Sequence, residues 1–408
     1  MSVAHSDTGC TVAIVVALAA GVFAAAQVGK MPAALPVLQS QLSLSLVQVS
    51  WIATAISAVS AFLGLASGLV CARLGTRTAL LLGLGVIALG SLLGALSPTG
   101  ALLLSSRILE GAGFVLVVVS APSIVAAAAS PARRATWMSV WGCYMPVGVS
   151  IMLVLTPLLI EAGGWRLVWW CNVGLLTGVL AFAWMQRHHL PHKPALAGVP
   201  LRGQLRHASR LSGPWLMGLA FMAYSAQWFM IITWLPSFAV EHMGLSLRYA
   251  GLLTAFATFA NIIGCLSVSL VARAGMPRWA VAVSVHLLLG TVGLAVFSAA
   301  LDPSLRMVLA IVGCGLSGLL PATMFAGVPA LARSPEEVGL GNGIIIQCAN
   351  VGIFLGPPAI AAVVAHLGGW ESGRWLFPVL ASAGILAGLA LRTHERSGAS
   401  AAIISQTS

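Results

Sequence analysis

Long apolar stretches separated by short polar loops run the length of the chain, at 11–38, 47–70, 78–96, 101–128, 135–160, 167–186, 214–240, 248–271, 279–299, 304–331, 339–365 and 374–392. Each holds roughly 20 to 28 residues, enough for a helix at about 1.5 Å per residue to cross a hydrocarbon layer. Lipid offers no partner to backbone N–H and C=O groups, so a spanning segment must satisfy them within itself as a helix. The pattern predicts an all-α membrane protein with twelve transmembrane helices. The longest polar interruption, Arg187 to Gly213, follows the sixth stretch and contains no acid. It divides the chain into an N-terminal six-helix bundle (1–186), a basic linker (187–213), a second six-helix bundle (214–392) and a tail (393–408).

Composition points the same way. Of the 408 residues, 59% are hydrophobic and only 7% charged, whereas soluble domains are about a quarter charged. Many of the 13 Trp fall near the ends of apolar runs, as in an interfacial belt, and 44 Gly suit helices that pack backbone against backbone. The net charge of +11 is scattered over loops without a basic stripe, which excludes a nucleic-acid partner. If the N-terminus is inside, fourteen of the Lys and Arg fall in inner loops and the tail, and four (Arg166, Arg248, Arg306, Arg374) in outer loops. The excess of inner positive charge predicts an integral protein of the cytoplasmic (inner) membrane with linker and both termini in the cytoplasm. The first ten residues hold no Lys or Arg, which argues against a cleaved secretory leader. The seven Cys form no C-x-x-C pair and read as buried thiols, so neither a disulfide framework nor a metal site is expected. No cofactor is implied, and a monomer is the expectation.

An internal repeat supports two related halves. At an offset of 200, Gln27 matches Gln227, Leu35-Pro36 matches Leu235-Pro236, Arg73 matches Arg273 and Gly75 matches Gly275. Gly111-x-Gly113 matches Gly313-x-Gly315 at 202, and Gly164-Trp165 matches Gly369-Trp370 at 205. An ordered series with slow drift reads as duplicated six-helix units with small loop insertions.

These residues resemble the major facilitator superfamily. The loop after the second span carries Gly68, Ala72, Arg73, Gly75, Thr76 and Arg77, similar to that family's Gly-x-x-x-Asp-Arg-x-Gly-Arg-Arg pattern. Ala272, Arg273, Gly275 and Arg278 form a weaker copy in the second half. The fourth span carries Arg107-x-x-Glu110-Gly111-x-Gly113, similar to the family's Arg-x-x-x-Gly-x-Gly signature, and the first carries Ala34-Leu35-Pro36. The stretch Gly341 to Asn350 followed by Gly356-Pro357-Pro358 is similar to cyanate and nitroimidazole permease-type members. The resemblance implies two bundles about a central cavity lined by the first, fourth, seventh and tenth helices. It departs at the loop acid, replaced by Ala72 and Ala272. The charge cluster that gates the family's members is therefore incomplete, and Arg73, Arg77, Arg273 and Arg278 are assigned to gating or to plain membrane anchoring.

Charged residues inside oily helices are costly and ask for a reason. Lys30, Arg107 and Glu110 are the clear cases. Lys30 and Arg107 lie at similar depth, about 10 Å below the outer ends of the first and fourth spans. The first reading is an anion clamp, with a planar guanidinium fork and a mobile ammonium meeting an anionic cargo. The competing readings are snorkelling or structural pairing for Lys30 and an ion pair with Glu110 at i+3 for Arg107. Glu110 has two readings of equal standing, a proton carrier or a permanently ionised partner of Arg107. Gln27, Tyr224, Gln227, Trp228, Gln347 and Asn350 complete a candidate substrate site; for each, helix-to-helix packing is the bland alternative. His286 and His366 read as ordinary polar positions. The chain has no P-loop and no catalytic triad pattern. The expected function is non-enzymatic secondary transport of a small, anionic solute by alternating access, with proton symport as one form. An exporter of drugs or metabolites on the same fold, and a non-transporting membrane sensor, are the alternatives.

Overall fold

A computed structural model describes residues 7–191, 201–332 and 334–407; the predicted inner basic residues Lys193 and Arg333 lie outside them. The protein is all-α. In the first half, α1 is Asp7–Gln41, α2 is Leu46–Thr54 continued through a 3-10 turn at Ala55–Ser57 into Ala58–Leu74, α3 is Thr76–Ala95 and α4 is Gly100–Ala128. Arg134–Gly142 opens α5, and helix resumes over Tyr144–Met185. Gly163 and Gly164 (φ 77°, ψ 176°) leave helical geometry inside that run, so it is two crossings, α5 up to 162 and α6 over 165–185. Among the described residues eleven helical stretches are long and apolar enough to span a bilayer. The break in the longest, Thr136–Met185, gives the twelve expected crossings.

A linker helix, Leu201–Ala208, precedes the second half. There α7 is Ser212–Met243, α8 is Leu247–Leu266 extended by Val268–Arg273, and α9 is Arg278–Val296. The tenth crossing, α10, is Pro303–Ser317 extended by Leu319–Leu331; α11 is Pro335–Leu367 and α12 is Leu376–Thr407. Because no proline interrupts it after Pro378, α12 runs on into the predicted tail.

The sequence repeats have physical counterparts. Ser45 and Ser246 cap α2 and α8 alike, each side chain accepting from the backbone N–H three residues on. Gly75 (φ 79°) and Gly275 (φ 74°) take the left-handed turns between paired helices. Gly164 (φ 77°) and Gly369 (φ 91°) do the same before the last helix of each half, each followed by a buried Trp, Trp165 and Trp370. The glycine pair of α4 and its match in α10 exchange partners. A Cβ at Gly111 would stand 2.4 Å from Ile56 O on α2 and one at Gly113 2.5 Å from Gly83 O on α3. In α10 the first glycine, Gly313, faces Val292 on α9 and the second, Gly315, faces Ala260 on α8. Each half therefore has its middle helix pressed against two neighbours, with the order of contacts reversed.

The halves meet along α2–α11 and α5–α8. Phe354 of α11 sits between Trp51 and Phe62 of α2, with ring centroids 5.0 and 5.7 Å away. Eleven residues are about three helical turns, so Trp51 and Phe62 share one face of α2. On the other flank the Ser150 hydroxyl donates to Ala255 O at 3.2 Å. Between them Val28, Met31, Val149, Phe229 and Ile353 close around a void of about 10 Å³, room for one water at most.

Candidate functional site

The site grows from a helix interruption. The 3-10 turn of α2 takes the carbonyls of Ile52 and Ala53 toward α4, where the Arg107 guanidinium reaches them at 3.4 and 3.5 Å. Gly111 permits this approach, because any side chain there would strike the turn. On the neighbouring face of α4, Gly90 of α3 leaves room for Glu110, whose Cγ lies 2.7 Å from where a Cβ would stand.

Glu110 is the centre. Arg107, one turn earlier, pairs with Glu110 Oε2, and the Lys30 ammonium donates to Oε1 at 2.6 Å. Lys30 also donates to Gln27 Oε1 at 2.8 Å and reaches Ser91 Oγ at 3.1 Å, and its ammonium lies 4.6 Å from the centroid of the Trp169 ring. Ser91 donates to Glu110 Oε1 at 2.7 Å. The Gln27 amide donates to Asn172 on α6 at 2.8 Å and to Phe23 O, one turn back. All three charged side chains have no solvent exposure. Two basic side chains share one carboxylate, so with all three ionised the cluster would hold one positive charge in excess inside a low-dielectric bundle, where an unmatched charge is expensive.

The structure thus joins Lys30, Arg107, Glu110 and Gln27, and the partners of Lys30 and Arg107 all belong to the N-terminal half. Ser91, Asn172 and Trp169 are members that the sequence reading missed. Asn172 carried a signal, a lone amide in the middle of an apolar span; Ser91 and Trp169 carried none.

The C-terminal half is neutral at the same place. Gln227 repeats the bond of Gln27, its amide donating to Ala223 O one turn back at 3.1 Å, and its NH2 also meets His286 Nδ1 of α9 at 3.2 Å. Tyr224 turns elsewhere, accepting from the Asn261 amide at 3.2 Å; Asn261 also donates to Cys314 O at 2.8 Å. The expected stripe Tyr224, Gln227, Trp228 therefore splits: Tyr224 serves α8, Gln227 serves α9, and Trp228 stacks edge-on with Phe229. Asn350 donates to Ile346 O on its own helix, and Gln347 packs where Gly64 of α2 lacks a side chain.

The four loop arginines do not act alike. Arg73 and Arg273 are exposed. Arg77 donates to Arg187 O at 3.2 Å, tying the α2–α3 loop to the end of α6, and Thr76 donates to Pro191 O at 2.8 Å. Arg278 pairs with Glu395 of α12 at 2.7 Å and donates to Gly327 O at 3.3 Å. In the second half an acid from α12 stands where the loop acid is missing.

Comparison with known proteins agrees with this architecture. A family model described as Major Facilitator Superfamily matches residues 14–357. A methylenomycin A resistance protein of Bacillus subtilis (strain 168) is 28% identical over 221 residues, 54% of this chain and 45% of that protein, so the chain spans less than half of that relative's length. The cyanate transport protein of Escherichia coli (strain K12) is 26% identical over 335 residues, 79% of this chain and 82% of that one. Among solved structures, a bacterial homologue of the human lysosomal transporter Spinster, inward-facing and unoccupied, superposes with a TM-score of 0.69 at 16% identity over 96% of this chain and 95% of that chain.

Proposed function

Because the chain belongs to the Major Facilitator Superfamily, and so is a membrane transporter and not an enzyme, we propose that its cargo is a small anionic solute moved by alternating access. The observation that carries the reading is the burial of two basic side chains, Lys30 and Arg107, on the single carboxylate of Glu110. Lys30 and Arg107 stand on α1 and α4, two of the helices that line the cavity in this family. An anion that competes with Glu110 for the two cations would satisfy the charge that one carboxylate leaves over. Protonation of Glu110 would free both cations at once, which makes proton–anion symport the natural coupling. A relative named for cyanate transport fits this reading.

Gln27 tethers Lys30, and Tyr224, Gln227, Trp228, Gln347 and Asn350, which pack against helices in this arrangement, are the neutral groups assigned to meet the solute once the halves part. The inner membrane, with linker and termini in the cytoplasm, is supported by the excess of basic residues on the linker side, and a monomer suffices for the cycle.

A second reading, export of a lipophilic compound, is favoured by one observation: every donor of Lys30 is taken within its own half, and the seam between halves is lined by Val28, Met31, Phe229 and Ile353. A relative that confers methylenomycin A resistance fits it.

Uptake into proteoliposomes decides between them, using labelled cyanate, a labelled uronate and a lipophilic dye, with wild type, Lys30→Met and Arg107→Ala. The anion reading expects saturable uptake of an anion that both variants lose. Normal anion uptake by both would overturn it, and dye efflux without anion uptake would establish the second reading.

A further inference from the structure

One buried titratable side chain has no part in the scheme above. His286 lies mid-span on α9, eight residues from Arg278 and ten from Val296, or about 12 and 15 Å from the helix ends. It has no solvent exposure. Its ring rests on Gly384 of α12, where a Cβ would stand 2.3 Å from Cε1, so the absence of a side chain there makes the ring's berth.

The hydrogen bonding of this pair is incomplete in a specific way. Gln227 NH2 is shared between Ala223 O and His286 Nδ1, so Nδ1 accepts and the ring hydrogen sits on Nε2. Oε1 of Gln227 is buried without a partner, and Nε2 of His286 lacks a well-formed one, with the backbone of Ala220 on α7 beside the ring. Buried polar groups are almost always paired, and an idle oxygen beside an incompletely paired ring marks a place with a second arrangement. That arrangement is available by rotation. A half-turn of the Gln227 amide brings Oε1 to Nδ1, where it can accept only if Nδ1 carries a hydrogen.

We infer that His286 and Gln227 form a proton-binding site in the C-terminal half, in which a proton from water adds to Nδ1 and the Gln227 amide rotates to accept it. The N–H bond forms at the Nδ1 lone pair, Nε2 keeps its hydrogen, and the contact from Gln227 to Ala223 O is given up. The imidazolium has no buried anion to balance it. Among the described residues, the charged groups of the elements packed on α9 gather at its ends, Arg278, Arg392, His394 and Glu395 at one, and Glu241, His242, Arg306, Glu371 and Arg374 at the other, while the mid-span titratable groups are the Cys314 thiol of α10 and Tyr224 of α7. Tyr224, one turn before Gln227, is committed to Asn261. The charged form therefore needs water, and the site fills only when the helices around α9 part. It deepens the proposed transport cycle by giving the second half a proton of its own.

The test needs neither a substrate nor flux. The full-length chain, 15N-labelled at histidine in lipid nanodiscs, is followed by 15N NMR over about pH 5 to 8. The His286 resonances are identified by their loss in His286→Gln. The expected result is conversion from a neutral Nε2–H tautomer to imidazolium within that range. Hydrogen exchange of α7 and α9 amides, corrected for intrinsic rates, should rise by about threefold or more on acidification in wild type and stay flat in Gln227→Leu. A His286 signal that stays neutral from end to end of the range, or exchange in Gln227→Leu that rises as in wild type, overturns the assignment. The wild-type titration stands even if a variant fails to fold, and anion uptake in proteoliposomes would survive a negative result here.

Discussion

The two halves carry the same amide on the same kind of helix and use it oppositely. Gln27 and Gln227 each donate to the carbonyl one turn back. In the N-terminal half that amide ties down a crowded cluster in which Lys30 has used all three of its hydrogens. In the C-terminal half it faces a neutral ring and leaves an oxygen idle. On one repeated scaffold, one side is charged with its ammonium fully paired, and the other is neutral with an amide oxygen left idle. A buried charge demands partners at once, whereas a neutral imidazole tolerates a missing one at a cost of about 1–3 kcal/mol.

Substitutions sharpen this contrast in order of size. Glu110→Ala should be the most damaging, because it strands two cations in the bundle; a loss of about 3–5 kcal/mol is expected, read as a fall in the unfolding midpoint in detergent. The corresponding Gln227→Ala should cost no more than about 1–2 kcal/mol in the same assay, since only neutral bonds are lost. Equal losses would mean that the charged cluster is not the stronger constraint. Lys30→Met is the more telling variant. It leaves Arg107 and Glu110 as a balanced pair, so folding should hold while anion uptake falls by about tenfold or more, a change of about 1.4 kcal/mol in the barrier.

Gly111→Ala and Gly318→Ala test the backbone approach in each half. Their added methyls would meet Ile56 O at 2.4 Å and Asn261 O at 2.2 Å, and each should cost about 1–3 kcal/mol. Smallest of all is Glu395→Gln. The Arg278 and Glu395 side chains are 29% and 19% exposed, and such a pair contributes about 1 kcal/mol or less. Its unfolding midpoint should barely move, and a large shift would make this pair a clamp of the second half.

The fold was largely legible because lipid imposes a length and a polarity that show in a single sequence. The helical pair Arg107–Glu110 and the same-face pair Gln27–Lys30 were legible too, since i,i+3 spacing fixes them. One boundary was not: the 3-10 turn at Ala55–Ser57 has no proline or glycine to announce it, whereas the break at Gly163–Gly164 falls in the gap between the expected spans 135–160 and 167–186. The convergence of Lys30, Ser91 and Trp169 was hidden because it depends on which helices touch, and a serine among apolar residues looks the same whether it binds its own backbone or a foreign ammonium. His286 read as an ordinary polar residue for the same reason: its neighbour Gln227 is 59 positions away.

Phe354, gripped between Trp51 and Phe62, has a consequence for tempo. For the halves to separate along that edge, one ring would have to be withdrawn from between two others. Any rocking of the halves along that edge would be paced by unstacking, a step expected to quicken with temperature and to respond little to ionic strength. A smaller residue at 354 would leave the destination states in place and shorten the wait between them.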